Sequence, residues 1–215
     1  MTIKPEEIKP TWLLAPVFGT IVFVGLYIVA TILYPGGSQI DKDAIGFSWL
    51  NNYWCNLLND NAINGQHNPS KPIAITGMVV LGLTLSFFWI VFPGYSAIGK
   101  SLKLMIQISG ILAMITALFL GSGINHDLVT NIASVLGLVA TFGTFIGLYK
   151  NKWYVLFAFG LINILFVGMN NYLYHNKELI IYLPIIQKIS FAFFLLWVCS
   201  VNMKIYRLVT SEREK

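Results

Sequence analysis

Six long apolar runs make up most of this chain, and they restrict its fold more than any other feature. The runs cover residues 12–34, 73–92, 104–120, 128–149, 153–169 and 179–205. Each is long enough, with some tilt, to cross a hydrocarbon core about 30 Å thick. With 56% apolar and only 11% charged residues, the 215-residue chain is too apolar for a water-soluble domain. The sequence therefore predicts an all-α fold, a single bundle of six transmembrane helices with no separate soluble domain.

The lysine and arginine residues divide unevenly between the two ends of such a bundle. Threading the chain through six spans places one basic set on the side of the termini: Lys4, Lys9, Lys100, Lys103, Lys150, Lys152, Lys204, Arg207, Arg213 and Lys215. The opposite side keeps Lys42, Lys71 and Lys177. By the positive-inside rule, this bias predicts cytoplasmic termini and a bacterial-type inner (plasma) membrane location. Because the basic residues form short pairs and no continuous stripe, we expect no nucleic-acid partner.

The longest connection, residues 35–72, belongs to the outer side in this topology. Within it, apolar side chains recur at helical spacing, with polar side chains between them. The apolar set is Phe47, Leu50, Tyr53, Trp54, Leu57 and Leu58. This pattern predicts an amphipathic helix over residues 46–61, which would lie in the membrane interface or fold over the bundle mouth as a lid.

All three histidines, His67, His126 and His175, fall in or beside the outer connections. Three histidines from different helices plus a water form the open tetrahedral site of a catalytic zinc. One hypothesis is therefore a shared zinc site, with Asp127 or Asp60 as the general base. No metal-binding spacing links the histidines, so solvated or helix-capping roles are the alternative. Asp127, in the first turn of the fourth span, would then only favour the positive end of the helix dipole.

Polar residues also enter the predicted spans. Lys188 lies about eight residues inside the last span, beside Gln187, where a cation needs a partner, a functional site or a snorkelling path to the interface. Asn131 and Ser134 follow His126 and Asp127 at helical spacing. Together with the lid residue Trp54, these side chains would border a cavity that is half polar and half apolar. A lipid or another amphipathic small molecule suits such a cavity.

Three short motifs are found at the outer side: the sequence Phe47-Ser48-Trp49-Leu50, the prolines Pro69 and Pro72 before the second span, and His126 at the start of the fourth span. In these motifs the chain resembles the FRAG–DRAM–Sfk superfamily of six-helix membrane proteins. The resemblance implies a lipid-facing role, because members are associated with the handling of membrane lipids and GPI anchors. A weaker similarity connects the chain to alkaline ceramidase-like hydrolases, which hold zinc with histidines, although their paired-histidine motif is missing here.

Two functions are therefore open. The chain either binds a lipid-like ligand at its outer face without chemistry, as a binding, accessory or transport protein, or it is a metal-dependent hydrolase embedded in the membrane. Small residues on the second and fourth spans permit close helix packing within one chain or in a homo-oligomer. These residues are Gly77, Gly82, Gly137, Gly143 and Gly147.

Overall fold

A computed structural model describes residues 8–213, and this part of the chain is helical apart from its connections. The six long helices are α1 (Ala15–Leu33), α2 (Lys71–Val91), α3 (Lys100–Ala117), α4 (His126–Lys150), α5 (Tyr154–His175) and α6 (Leu183–Arg213). Short 3-10 helices extend α1, α2, α3 and α6. Within residues 8–213, six helical segments are long and apolar enough to span a membrane. This finding confirms the predicted all-α bundle of six spans.

The bounds of α5 and α6 differ from the sequence prediction. Helix α5 continues six residues past Met169 to His175, and α6 begins at Leu183 and runs to Arg213. The apolar run of the fifth span stops at Asn170 and Asn171, but amide side chains do not end a helix when they are hydrogen-bonded. A span assigned from hydropathy therefore stops before the helix does.

Both ends of the described chain lie at the same end of the bundle. Arg213 donates a hydrogen bond from Nη2 to the carbonyl oxygen of Ile8 at 3.3 Å. We call this end proximal, and the opposite end, which holds the connections 34–70, 122–125 and 176–182, distal. Lys4 and Lys215, which the topology prediction used, lie outside the described residues. The cytoplasmic assignment of the proximal end stays a prediction.

Close helix packing forms the bundle core. Helices α1 to α4 pack in chain order, α5 packs on α6, and α6 returns to α1. Glycines permit the closest approaches, as expected where lipid supplies no hydrophobic drive for association. A Cβ atom added at Gly110 of α3 would lie 2.2 Å from Cγ of Trp89, and one added at Gly143 of α4 would lie 2.4 Å from Cγ1 of Ile106. Helix α5 is more loosely held, because only Gly160, Asn163 and Leu173 of its residues are buried.

The distal connection 34–70, which we call the distal cap, folds over the bundle without the predicted amphipathic helix. Residues 46–61 contain only one short 3-10 helix, Trp54–Leu58. The prediction was wrong because asparagine side chains take backbone donors in place of helical carbonyls. Oδ1 of Asn52 accepts from the N–H of Ser48 at 2.8 Å, and Oδ1 of Asn56 accepts from the N–H of Tyr53 at 2.7 Å.

Several polar side chains of the distal cap are consequently buried, among them Asn52, Asn56 and Asn68. Asn52 is 0% exposed, and its Nδ2 donates to the carbonyl oxygen of Gly37 at 2.8 Å. Gly37 has a φ of 82°, and a Cβ there would lie 2.4 Å from the backbone nitrogen of Asn64, so a glycine is required. Asn68 donates to the carbonyl oxygen of Asn59 at 2.9 Å. The cap is therefore held in an ordered conformation by asparagine side chains that donate to backbone carbonyl oxygens.

Candidate functional site

A cavity of about 880 Å³ opens at the distal end, between α4, α5 and α6 and beside the distal cap. Its residues come from segments that are far apart in the sequence, and each segment contributes a different kind of side chain. We call this space the distal cavity.

Helix α4 supplies a polar wall. Asp127, Thr130, Asn131 and Ser134 line the cavity at spacings of three, four and seven residues, which places them on one face of the helix. His126 lines the mouth at the start of α4. The structure thus brings together four residues that the sequence placed on one stripe: His126, Asp127, Asn131 and Ser134.

Helix α5 supplies amides, most of which the sequence analysis missed. Asn163, Asn170, Asn171 and Tyr174 line the cavity. Asn163 is only 5% exposed, and its Nδ2 donates to the carbonyl oxygen of Phe159 at 3.1 Å. Its Oδ1 has no hydrogen-bond partner in the described part of the chain. Residues 170 to 174 were missed because the fifth span was ended at residue 169. The spacing of 163, 170 and 174, close to two and three helical turns, was the available signal.

Helix α6 supplies a wall of both polar and apolar side chains. Gln187 lines the cavity, as the sequence suggested, and its buried Oε1 has no hydrogen-bond partner among the described residues. The hydroxyl of Ser190 donates to the carbonyl oxygen of Ile186, and Nδ2 of Asn170 donates to Oγ of Ser190 at 2.6 Å. Phe191 and Phe194 add apolar surface.

The distal cap contributes neutral groups at its side of the cavity. Tyr53, Cys55, Asn56 and Asn59 are among the lining residues. Burial raises the pKa of the Cys55 thiol to about 11, so the thiol stays protonated at neutral pH. Burial also raises the pKa of the Tyr53 hydroxyl. Neither side chain is therefore an activated nucleophile.

The two ionisable residues that α4 contributes to the site lie at its mouth. Nδ1 of His126 lies 3.7 Å from Oδ1 of Asp127, and their side chains are 50% and 69% exposed. The hydroxyl of Tyr174 donates to Oδ2 of Asp127 at 3.4 Å, which links α4 to α5. The His126–Asp127 separation is longer than a hydrogen bond, so these two side chains are not bonded to each other.

Two predicted ligand-binding residues lie outside the distal cavity. Lys188 is 8% exposed, and its Nζ donates to the carbonyl oxygens of Asn52 at 2.5 Å and Pro184 at 2.7 Å. It therefore fastens the distal cap to α6 and does not snorkel. Trp54 packs in an aromatic cluster, with ring centroids 5.2 Å from Tyr27 and 5.5 Å from Phe191.

The proposed catalytic and metal residues of the connections are also held apart. Asp60 binds Nζ of Lys71 at 2.7 Å, and this bond lowers the pKa of the Asp60 carboxyl. His67 bridges to Asn61 in the backbone of the distal cap, and the ring of His175 lies against Tyr174 at 5.2 Å. Among residues 8–213, no three His, Cys, Asp or Glu side chains are grouped to hold a metal ion. The shared three-histidine zinc site is thus not formed by these residues.

Fold and cavity together define an integral membrane protein of six helical spans with a mixed polar cavity at one end. We found no match to this chain among protein-family models, curated proteins or solved structures. The resemblance to the FRAG–DRAM–Sfk superfamily therefore stays a prediction. The function of a protein depends on its site more than on its fold.

Proposed function

We propose that this membrane protein binds an amphipathic, lipid-like ligand in the distal cavity without transforming it. The observation that carries the proposal is a cavity of mixed polarity that enters the membrane-spanning part of the bundle. Asn163 lies twelve residues before the end of α5, about 18 Å along the helix at 1.5 Å per residue. A hydrocarbon core is about 30 Å thick, so the cavity extends over roughly half of it.

The lining matches both parts of such a ligand. Amides and hydroxyls on α4 and α5 can hydrogen-bond a polar group, while Val167, Phe191 and Phe194 present apolar surface to a hydrocarbon chain. A volume of about 880 Å³ falls in the usual range for ligand pockets, which is about 300–1,000 Å³.

Helix α4 gives a second argument for an occupant. Asn131 and Ser134 are exposed, although they lie five and eight residues inside this span. Polar side chains at such depth normally face a partner, a cavity or another helix, because hydrocarbon leaves their hydrogen bonds unmet. A ligand in the distal cavity would supply those hydrogen bonds.

Binding also accounts for the site better than hydrolysis. The Cys55 thiol is kept protonated, and His126 and Asp127 are not hydrogen-bonded to each other. Hydrolysis requires an activated nucleophile or water, and binding requires only the amides and the apolar wall.

The test is lipid extraction from detergent-purified protein, followed by mass spectrometry. We expect roughly one lipid molecule to co-purify with each chain of the parent protein, and this lipid should be recovered intact. In the double variant Asn131→Leu, Ser134→Leu, which removes the polar face, the amount should fall about tenfold. The control is Val135→Leu, because Val135 is exposed on the same helix and does not line the cavity.

Equal lipid in the parent and the double variant would refute the proposal. Accumulation of lipid breakdown products with the parent alone would instead establish the hydrolase alternative.

A further inference from the structure

Two buried oxygen atoms of the distal cavity carry information about its ligand. Oδ1 of Asn163 and Oε1 of Gln187 are both shielded within the protein, and neither has a hydrogen-bond partner within residues 8–213. Both side chains line the cavity. A buried carbonyl oxygen without a donor is unfavourable, so the natural occupant should bring hydrogen-bond donors to these two positions.

The orientation of the Asn163 amide is fixed by its surroundings. Its Nδ2 donates to the carbonyl oxygen of Phe159 at 3.1 Å. The reverse orientation would place the amide oxygen against that carbonyl, two acceptors facing each other. The unmet atom at this position is therefore an acceptor.

Two neighbouring donor groups on α5 and α6 are already used within the protein. Nδ2 of Asn170 donates to the carbonyl oxygen of Phe166 at 2.8 Å and to Oγ of Ser190 at 2.6 Å. The Ser190 hydroxyl in turn donates to the carbonyl oxygen of Ile186. An acceptor-only group such as a phosphate would find no free donor on these two side chains.

The charge of the lining leads to the same ligand class. Among the residues that the structure describes, no lysine or arginine lines the cavity. The nearest buried cation that we identify, Lys188, uses its ammonium group to hold the carbonyl oxygens of Asn52 and Pro184. A phosphate in the cavity would lack a charged partner, and an ammonium group would find a carboxylate only at the mouth, on Asp127.

We propose that the distal cavity selects ligands with a neutral, hydroxyl-rich polar group, whose hydroxyls donate to Oδ1 of Asn163 and Oε1 of Gln187. This inference rests on the proposed function and names its ligand class. Sugar and polyol head groups have this chemistry, and so do free sugars, so the experiment must separate the two sources.

The experiment is a binding titration of the detergent-purified full chain by native mass spectrometry. The probes are monoglucosyl diacylglycerol, phosphatidic acid with the same acyl chains, and free glucose. We expect the glucosyl lipid to bind at least about tenfold more tightly than phosphatidic acid, as expected from one or two neutral hydrogen bonds and an uncompensated buried charge. Glucose should bind more weakly than the glucosyl lipid, because it lacks the apolar chains.

The chain offers a matched control for the buried amide. Asn202 of α6 is 1% exposed, donates from Nδ2 to the carbonyl oxygen of Val198 at 2.8 Å, and has an unpartnered Oδ1. It does not line the cavity. Asn163→Leu should weaken glucosyl-lipid binding about tenfold, while Asn202→Leu should leave it unchanged. If Asn163→Leu does not fold, Gln187→Leu replaces it in the binding titration. Thermal unfolding shows whether each variant is folded.

The outcomes separate the two proposals. If both lipids bind equally, the cavity is a lipid site but the head-group inference is overturned. Unchanged glucosyl-lipid binding by both Asn163→Leu and Gln187→Leu would also overturn it. Failure of both lipids and glucose to bind would overturn both proposals. If glucose binds as tightly as the glucosyl lipid, hydroxyl recognition stands and the lipid-binding function is lost.

Discussion

Lys188 should hold the distal cap on the bundle, and Lys188→Met tests that role. Methionine keeps an apolar stem but removes the ammonium group that donates to the carbonyl oxygens of Asn52 and Pro184. The Pro184 carbonyl keeps the helical N–H four residues later in α6. The Asn52 carbonyl would lose its donor inside the structure, which costs about 1–3 kcal/mol.

A second effect acts in the opposite direction. Lys188 is 8% exposed, so its ammonium group is poorly hydrated in the folded protein. Replacing it with methionine removes this unfavourable burial of charge, which offsets part of the stability lost with the hydrogen bond. We therefore expect the distal cap to lose on the order of 2 kcal/mol of local stability. The bundle itself should keep its helices, because the lost bonds join the cap to one end of α6.

Hydrogen exchange measured by mass spectrometry can locate this loss. Amides of residues 46–60 should exchange roughly thirtyfold faster in Lys188→Met, the rate factor for about 2 kcal/mol, with little change in α2 and α3. Lys177→Met is the control, because Lys177 is an exposed lysine at the same end of the bundle. Unchanged exchange in residues 46–60, or equal effects of both variants, would refute the fastening role.

Three further predictions concern other parts of the molecule. Gly110→Ala should destabilise the bundle by about 1–3 kcal/mol in denaturant titration, because the added Cβ would lie 2.2 Å from a tryptophan ring atom, whereas Gly137→Ala meets nothing within 4 Å and should not. Titration followed by NMR should give the Asp60 carboxyl a pKa below its usual value, and Lys71→Ala should bring that pKa back towards the usual value. Because the pKa is lower in the folded state than in the unfolded state, the ion pair stabilises the fold at pH values above the unfolded-state pKa. This stabilisation is lost as the pH falls through the folded-state pKa. With the other cysteine replaced by serine, Cys55 should react slowly with maleimide at pH 7 and faster as the pH approaches about 11; fast labelling of folded protein at pH 7 would contradict its burial.

The positions of the spans followed from sequence because membrane insertion depends mainly on local composition. The polar face of α4 followed as well, because the helical period alone places Asp127, Asn131 and Ser134 on one side. That reasoning failed at the end of α5, where Asn170 and Asn171 face the cavity. A hydropathy pattern treats such amides as the end of a span.

The distal cap shows where periodicity misleads. Apolar and polar residues alternate over 46–61 as they would in an amphipathic helix, yet Asn52 and Asn56 bind backbone N–H groups and are buried. Those bonds are local, but the burial of Asn52 also depends on the distant Gly37 carbonyl oxygen, which comes near only when the chain folds.

The sequence by itself determined the six spans, the helical face of α4 and the concentration of polar residues at one end, because each depends on composition or on the 3.6-residue period. Only the tertiary structure decided that Lys188 binds the distal cap, that His67, His126 and His175 are not grouped to share a metal, and that Asn163 and Gln187 meet in one cavity. These outcomes depend on which helices become neighbours. Neighbours are chosen by packing between residues far apart in the chain, which no local pattern contains.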